Sequence, residues 1–460
     1  MEYLQQFSIF SALVTFLLFI FLLQRKPKTS SRKSAPGPWK LPIIGNMHQL
    51  LGSLPHHRLK DLSDKYGSVM NLQLGQVSNI VISSPEAAKQ VMKTHDIIFV
   101  QRPFLLAANI IMYNSKDIVF APYGDSWRQM RKICTLELLS TKRVRSFRAI
   151  REEETSNFIR SISSLSEVNI SKILLSLSNA ITLRSAFGKV SERQEAFLPL
   201  VQKIALMLEG FSIADIFPSV KFLHGITGMR SKLQKLHQEA DIMLENIINE
   251  HRENKRLGRR NSEGKEDDLV DVLLNLQDHD NLELTTENMK AVMLDMFLGG
   301  TESSSTVIEW AMSEMVKDSR VMEKAQEERQ WRSMGMKSQS TPRSLYINAW
   351  AIGRDSRHWT EAEKFCPERF QNNSIDIKGN DFQFIPFGAG RRMCPGIAYG
   401  MAVVELVLAN LLFHFDWKLP NGLEPHLLDM SESFGVSARR KNELNLIPIP
   451  YNPSHSQEIS

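Results

Sequence analysis

Apolar residues run from Phe7 to Leu23 with only Ser8, Ser11 and Thr15 as polar interruptions. A run of that length is just sufficient to cross a bilayer with help from its flanks. Arg25, Lys26, Lys28, Arg32 and Lys33 follow it, whereas only Glu2 precedes it. That order is the reverse of a signal peptide, and the basic side of a span stays cytosolic. The pattern predicts a single-pass anchor over residues 1–30, with the body in the cytosol; a buried core helix or a cleaved signal are the alternatives. Ala35 to Asn46 contains three prolines, which break a helix and stiffen a link, so residues 31–49 are expected to be a hinge and residues 50–460 the body.

Within the body, two short apolar runs flank Gly75 between Gly67 and Ile82, the signature of a hairpin. Most of the remainder has apolar positions three and four residues apart. Helices are predicted over Tyr123 to Leu139, Arg151 to Ser164, Ser171 to Phe187 and Leu233 to His251. Thr286 to Lys317 is free of proline and predicts one helix of about 45 Å, long enough to traverse the body. Arg256 to Asp268 reads as a charged loop, and the tail after Pro450 is polar. The fold class is mainly α with a small β region.

A net charge of +5 over 460 residues is mild and dispersed, which argues against a nucleic-acid partner. Cys134, Cys366 and Cys394 are odd in number and far apart, so neither a disulfide framework nor a zinc site is indicated. Cys134 and Cys366 suit ordinary buried positions. Cys394 differs, because it lies in PFGAGRRMCPG, followed by an apolar helical stretch. Glycines 388, 390 and 396 let backbone amides turn toward the sulfur, Arg391 and Arg392 add positive charge, and the helix N-terminus favours a thiolate. One cysteine cannot firmly chelate a bare metal, but it can be the axial ligand of a haem.

In the long helix, Phe297 to Thr306 reads FLGGTESSST. Two adjacent glycines cost about 1 kcal/mol each relative to alanine, so they serve either close packing or a ligand. Mid-helix hydroxyls can bond the carbonyl one turn back and open the helix.

Phe387, Gly390, Arg392, Cys394 and Gly396 match F-x-x-G-x-R-x-C-x-G, and on these residues the chain resembles the cytochrome P-450 haem-thiolate monooxygenases. The likeness to plant microsomal members extends through LPIIGN, HHRLKDLSDKYG, WRQMRK, GGTESS and PERF. It implies the cytochrome P-450 fold on a transmembrane helix in the endoplasmic reticulum membrane. The implied cofactor is haem b (iron-protoporphyrin IX), with Cys394 as the iron ligand and Trp127, Arg131, Phe387, Arg392 and Gly396 as cofactor-binding residues. Glu302 and Ser303 would guide protons to dioxygen, although members usually have threonine where Ser303 stands. Implied partners are membrane lipid, NADPH-cytochrome P-450 reductase, met through Arg128, Lys132 and Arg391, and a small hydrophobic terpenoid-like substrate. The pocket would be lined by the segments around Arg102 to Tyr113, Phe211, Met293 to Gly300, and Phe434 to Val436.

The pattern breaks once. No Glu-x-x-Arg occurs from Val307 to Cys394, where the resemblance leads us to expect it, and roughly sixty family residues, about half an average domain, are missing near 331–345. RSMGMKSQSTPR has no helix or strand period, which suits a skipped exon with a slipped reading frame or a genuine surface loop of a shortened enzyme. The competing functional readings are an inactive truncated relative that binds haem poorly, and a haem protein that rearranges substrates without inserting oxygen.

Overall fold

A computed structural model describes residues 14–16, 35–188, 197–208, 212–220, 228–258, 267–278, 284–327, 345–371, 375–435 and 437–451. The expected anchor lies outside them except for Val14 to Phe16, which are helical; Phe211, the 331–344 junction, most of the charged loop and the tail after Tyr451 also lie outside.

The long helix spans Thr286–Lys317, as the proline-free stretch predicts. Thr285 caps it by accepting a hydrogen bond from Asn288 N–H. It is the axis of the core: Met289, Val292, Leu294, Phe297, Ile308 and Met312 are all fully buried. The helix Ile170–Phe187 packs along it, and Phe297 sits against Phe187 at 4.7 Å and Phe197 at 4.8 Å between ring centroids. The helix Ile397–His414, which follows the cysteine loop, lies on another side of it.

β1 (Val69–Leu74) and β2 (Val77–Ile82) form the predicted hairpin, with Leu74 opposite Val77. β3 (Val168–Asn169) lies elsewhere, and β4 (Leu345–Ile347) pairs parallel with β2, Ile82 opposite Ile347. β5 (Phe415–Lys418) and β3 flank β6 (Asn445–Pro450) in a second three-stranded sheet. The proline-rich stretch is docked on the hairpin: Asn71 N–H donates to Pro36 O, and buried Asn46 accepts from Gln73 N–H and donates to Trp39 O.

The helix Ile397–His414 is rich in apolar residues, with a mean hydropathy of 1.7, and among the described residues it is the one helix long and apolar enough to cross a membrane. Only the stripe Tyr399, Val403, Val407 and Leu411 is buried. The opposite face borders a groove of about 1030 Å³ lined by Met315, Ala325, Phe365, Leu408, Leu412 and Phe413.

Removing the aromatic ring at the core axis in Phe297→Ala leaves a cavity between Phe187 and Phe197, and should cost about 3–5 kcal/mol. Chemical denaturation of the parent and the variant measures the loss.

Candidate active site at the cysteine loop

The cysteine loop is shaped by its own backbone. Gly388 and Gly390 adopt φ of 68° and 72°, a left-handed conformation that disfavours other residues. Gly396, at φ −90°, is conformationally ordinary and serves as the N-cap of the following helix. Cys394 N–H donates to Phe387 O at 3.0 Å, and Met393 N–H donates to Gly390 O at 3.0 Å, so the loop folds back on itself beneath the sulfur.

Burial pushes the Cys394 thiol above its ordinary pKa, while the Gly396 N–H and the Arg131 guanidinium pull it down without prevailing. Arg131 donates through Nη2 to Met393 O at 2.5 Å, which fixes the charge beside the loop. Both Cys394 and Arg102 retain exposed surface although protein surrounds them on most sides, which places them in a recess.

Arg392 is the best-anchored cation. Its Nε donates to Val100 O at 3.1 Å, Nη1 to Ile118 O at 3.1 Å and Nη2 to Ala121 O at 2.6 Å, and the group lies 4.3 Å from the Trp127 ring centroid. Trp127, buried on the helix Asp125–Ile133, donates its indole N–H to the same Ile118 O at 2.9 Å. Burial, and then the like charge of Arg102, lower the Arg392 pKa to about 9; Asp117 opposes this and Arg131 adds to it. Cations therefore crowd here beyond what the local carboxylates neutralise. Such a site suits a group with two carboxylates, since guanidinium matches carboxylate as a forked donor. A thiol that receives a backbone N–H beside a cation suits a soft metal ion.

The cysteine side also bears a cleft of about 810 Å³ lined by Arg128, Arg131, Lys132, Arg145, Arg391 and Cys394, among others. Arg391 is held by Tyr123 OH at 2.8 Å and Asp96 at 3.4 Å, Arg128 pairs with Asp125, and Lys132 is exposed.

On the long helix, Gly299, Ser303 and Val307 are exposed one turn apart, an open stripe on an otherwise buried element. A Cβ on Gly299 would meet nothing within 4 Å, whereas one on Gly300 would lie 3.0 Å from Thr182 Oγ1 and 3.6 Å from Tyr399. The two glycines thus divide the two expected roles: Gly300 allows close packing, and Gly299 leaves space. Ser303 donates to Gly299 O at 2.5 Å, the back-bond anticipated for a mid-helix hydroxyl, but the helix stays continuous from Thr286 to Lys317. Glu302 forms an ion pair with Arg439, a partner for which the sequence offered no signal. Arg369 of PERF donates to the carbonyls of Cys366, Glu361 and Lys364. Phe104 and Phe434, in the expected pocket segments, are exposed.

The cytochrome P450 family model matches residues 35–338 and 343–445. The chain is a cytochrome P450. It is 45% identical to premnaspirodiene oxygenase of Hyoscyamus muticus, covering 98% of this chain and 100% of that protein. It is 46% identical to desmethyl-deoxy-podophyllotoxin synthase of Sinopodophyllum hexandrum, with 97% of each covered. It is 43% identical to 5-epiaristolochene 1,3-dihydroxylase of Nicotiana tabacum, over 98% of this chain and 100% of that protein. A zebra fish cytochrome P450 solved with progesterone superimposes with a TM-score of 0.70 over 87% of this chain and all of that chain, at 18% identity, a likeness in fold. As a P450 the chain is a haem monooxygenase that takes dioxygen, a small-molecule substrate and electrons from a redox partner. The alignment with the oxygenase runs to 502 positions against 460 residues here, so at least 42 positions of that relative have no counterpart in this P450.

In the haem-free chain, alkylation of Cys394 by iodoacetamide should become fast only above the ordinary thiol range, because burial raises its pKa. Arg131→Gln removes the cation that favours the thiolate and should move that rise to still higher pH. Peptide mass spectrometry of the Cys394 fragment across a pH series measures both.

Proposed function

We propose that this P450 hydroxylates a small hydrophobic plant metabolite, a terpenoid, using electrons delivered from NADPH by cytochrome P-450 reductase at the endoplasmic reticulum membrane. The observation that carries this reading is the cation-crowded cysteine loop in a chain about 45% identical to a protein named premnaspirodiene oxygenase. The dihydroxylase named for 5-epiaristolochene supports the same substrate class.

Cys394 would ligate the haem iron, with Phe387 and Gly396 holding the loop around it, and Trp127, Arg131 and Arg392 would hold the haem carboxylates. When bound, haem supplies the redox chemistry that inserts one oxygen atom. The protein's own contributions are electrostatic and protonic. Arg131 and the Gly396 N–H favour the thiolate form of Cys394. Ser303 presents its hydroxyl on the open stripe of the long helix, and Glu302 holds a carboxylate one residue away that must loosen from Arg439 to accept or pass a proton. The basic cleft lined by Arg128, Lys132 and Arg391 is the surface offered to the reductase.

Residues 1–30 would anchor the chain in the membrane and 31–49 link it to the catalytic body. The 42 or more absent positions would fall between the helix Ser319–Glu327 and β4. Ala325 and Lys324 of that helix line the groove left along Ile397–His414.

Reduced microsomes carrying the chain should give a thiolate-type Soret band with carbon monoxide, absent in Cys394→Ala; no band from the parent, with protein present, would place the activity in an uncut relative. Ser303→Ala and Glu302→Gln should keep the band and lower turnover about 10²-fold, the scale of a lost proton donor. Inserting the corresponding oxygenase segment between Glu327 and Leu345 should raise haem retention and reduce binding of an apolar dye, measured on the purified protein.

A further inference from the structure

Residues 117–121 form a strap between the long helix and the cysteine loop, gripped on both edges. On the N–H edge, Ile118 donates to Asp295 Oδ2 at 2.7 Å, and Val119 and Phe120 donate to Asp117 Oδ2 at 2.9 Å and 2.6 Å. On the carbonyl edge, Ile118 accepts from both Trp127 and Arg392, Ala121 accepts from Arg392, and Val119 accepts from Arg102 at 2.9 Å. Asp117 is fully buried and Asp295 is 6% exposed, and Asp117 Oδ1 is buried without a hydrogen-bond partner. Two buried carboxyl groups thus aim the amides of one loop, and the opposite side of those same peptides aims a guanidinium and an indole.

We infer that Asp117 and Asp295 are positioning residues, which set Arg392 for the haem carboxylates through the peptide strap between them. The inference rests on the reading that Arg392 holds those carboxylates. Neither aspartate contacts that side chain by a hydrogen bond, and the coupling runs through Ile118, whose N–H and C=O are both engaged. Loss of the acceptor at Asp295 leaves a buried N–H unpaired and frees the strap to shift, whereas asparagine retains an oxygen acceptor there. The charged and titratable groups facing the pair are Arg392 from the cysteine loop, Arg102 from the segment before the strap, and Cys134 beyond the WRQMRK helix. Burial raises the pKa of both carboxyls, Asp117 to about 6, and the charge of Asp117 raises Asp295 further.

The test is the rate of haem transfer from the full chain to apomyoglobin, with a double-mutant cycle between Asp295→Leu and Arg392→Leu. Asp295→Leu should speed haem loss about 10-fold. Asp295→Asn should stay near the parent, and the effect of Asp295→Leu should largely vanish in the Arg392→Leu background. Equal effects of the asparagine and leucine substitutions, or additive effects in the cycle, would overturn the positioning role. Unchanged haem loss in Arg392→Leu alone would instead sink the reading beneath it. Amide exchange at Ile118 to Phe120 gives a haem-independent readout in Asp117→Asn and Asp295→Asn, isosteric changes suited to folding. Exchange should rise by about threefold or less in these and markedly more in Asp295→Leu, and uniform exchange across all variants would count against the inference. A carboxyl raised to about 6 in the folded state binds its proton more tightly there, so this group's stabilisation is lost as pH climbs from the ordinary carboxyl range through about 6. Asp117→Asn should flatten that slope in the unfolding midpoint, and a slope unchanged by the substitution would speak against a buried titrating pair.

Discussion

Positive charge crowded at the cysteine loop is the constraint on which the site depends. Arg392 is partly withdrawn from solvent, is repelled by Arg102 and Arg131, and is only partly answered by Asp117. Removing a charge from water costs several kcal/mol unless partners replace its hydration. Here backbone carbonyls do so: Val100, Ile118 and Ala121 surround the guanidinium, and Trp127 covers its face. A cofactor bearing two carboxylates would answer the guanidinium charge that the carbonyls only solvate.

That arrangement obliges the rest of the domain to be rigid. The strap 117–121 can present its carbonyls to Arg392 only if its amides are satisfied elsewhere, and they are, by carboxylates on the loop itself and on the long helix. The long helix in turn is locked by aromatic packing around Phe297 and by the close approach permitted at Gly300. One element therefore carries both the open stripe at Gly299 and Ser303 and the carboxylate that steadies the far side of the recess.

An adjoining flank bears a groove along the helix that begins at the cysteine loop, of which Tyr399, Val403, Val407 and Leu411 are fully buried and Ala402, Val404, Leu408 and Leu412 partly so.

The proline-free stretch located the long helix to its ends, two apolar runs around Gly75 located the hairpin, and an unbroken apolar run located the helix after the cysteine. The loop motif singled out Cys394 and Arg392 as candidates, because the chemistry of a lone thiolate demands a particular local set of glycines and cations. Asp295 left a faint signal, a carboxylate within the apolar run AVMLDMFLGG, and Asp117 and Arg439 left none. Their roles depend on partners 178, 275 and 137 residues away, namely Asp295, Arg392 and Glu302, and no local pattern encodes such pairings. The division of Gly299 and Gly300 between open space and packing was likewise decided in three dimensions, since adjacent helix positions point about 100° apart and only the neighbours' placement tells which faces the recess. The sequence by itself determined the local elements and the chemistry of the cysteine loop; the tertiary structure decided which charges meet, because electrostatic partnership depends on distance and burial rather than on order along the chain.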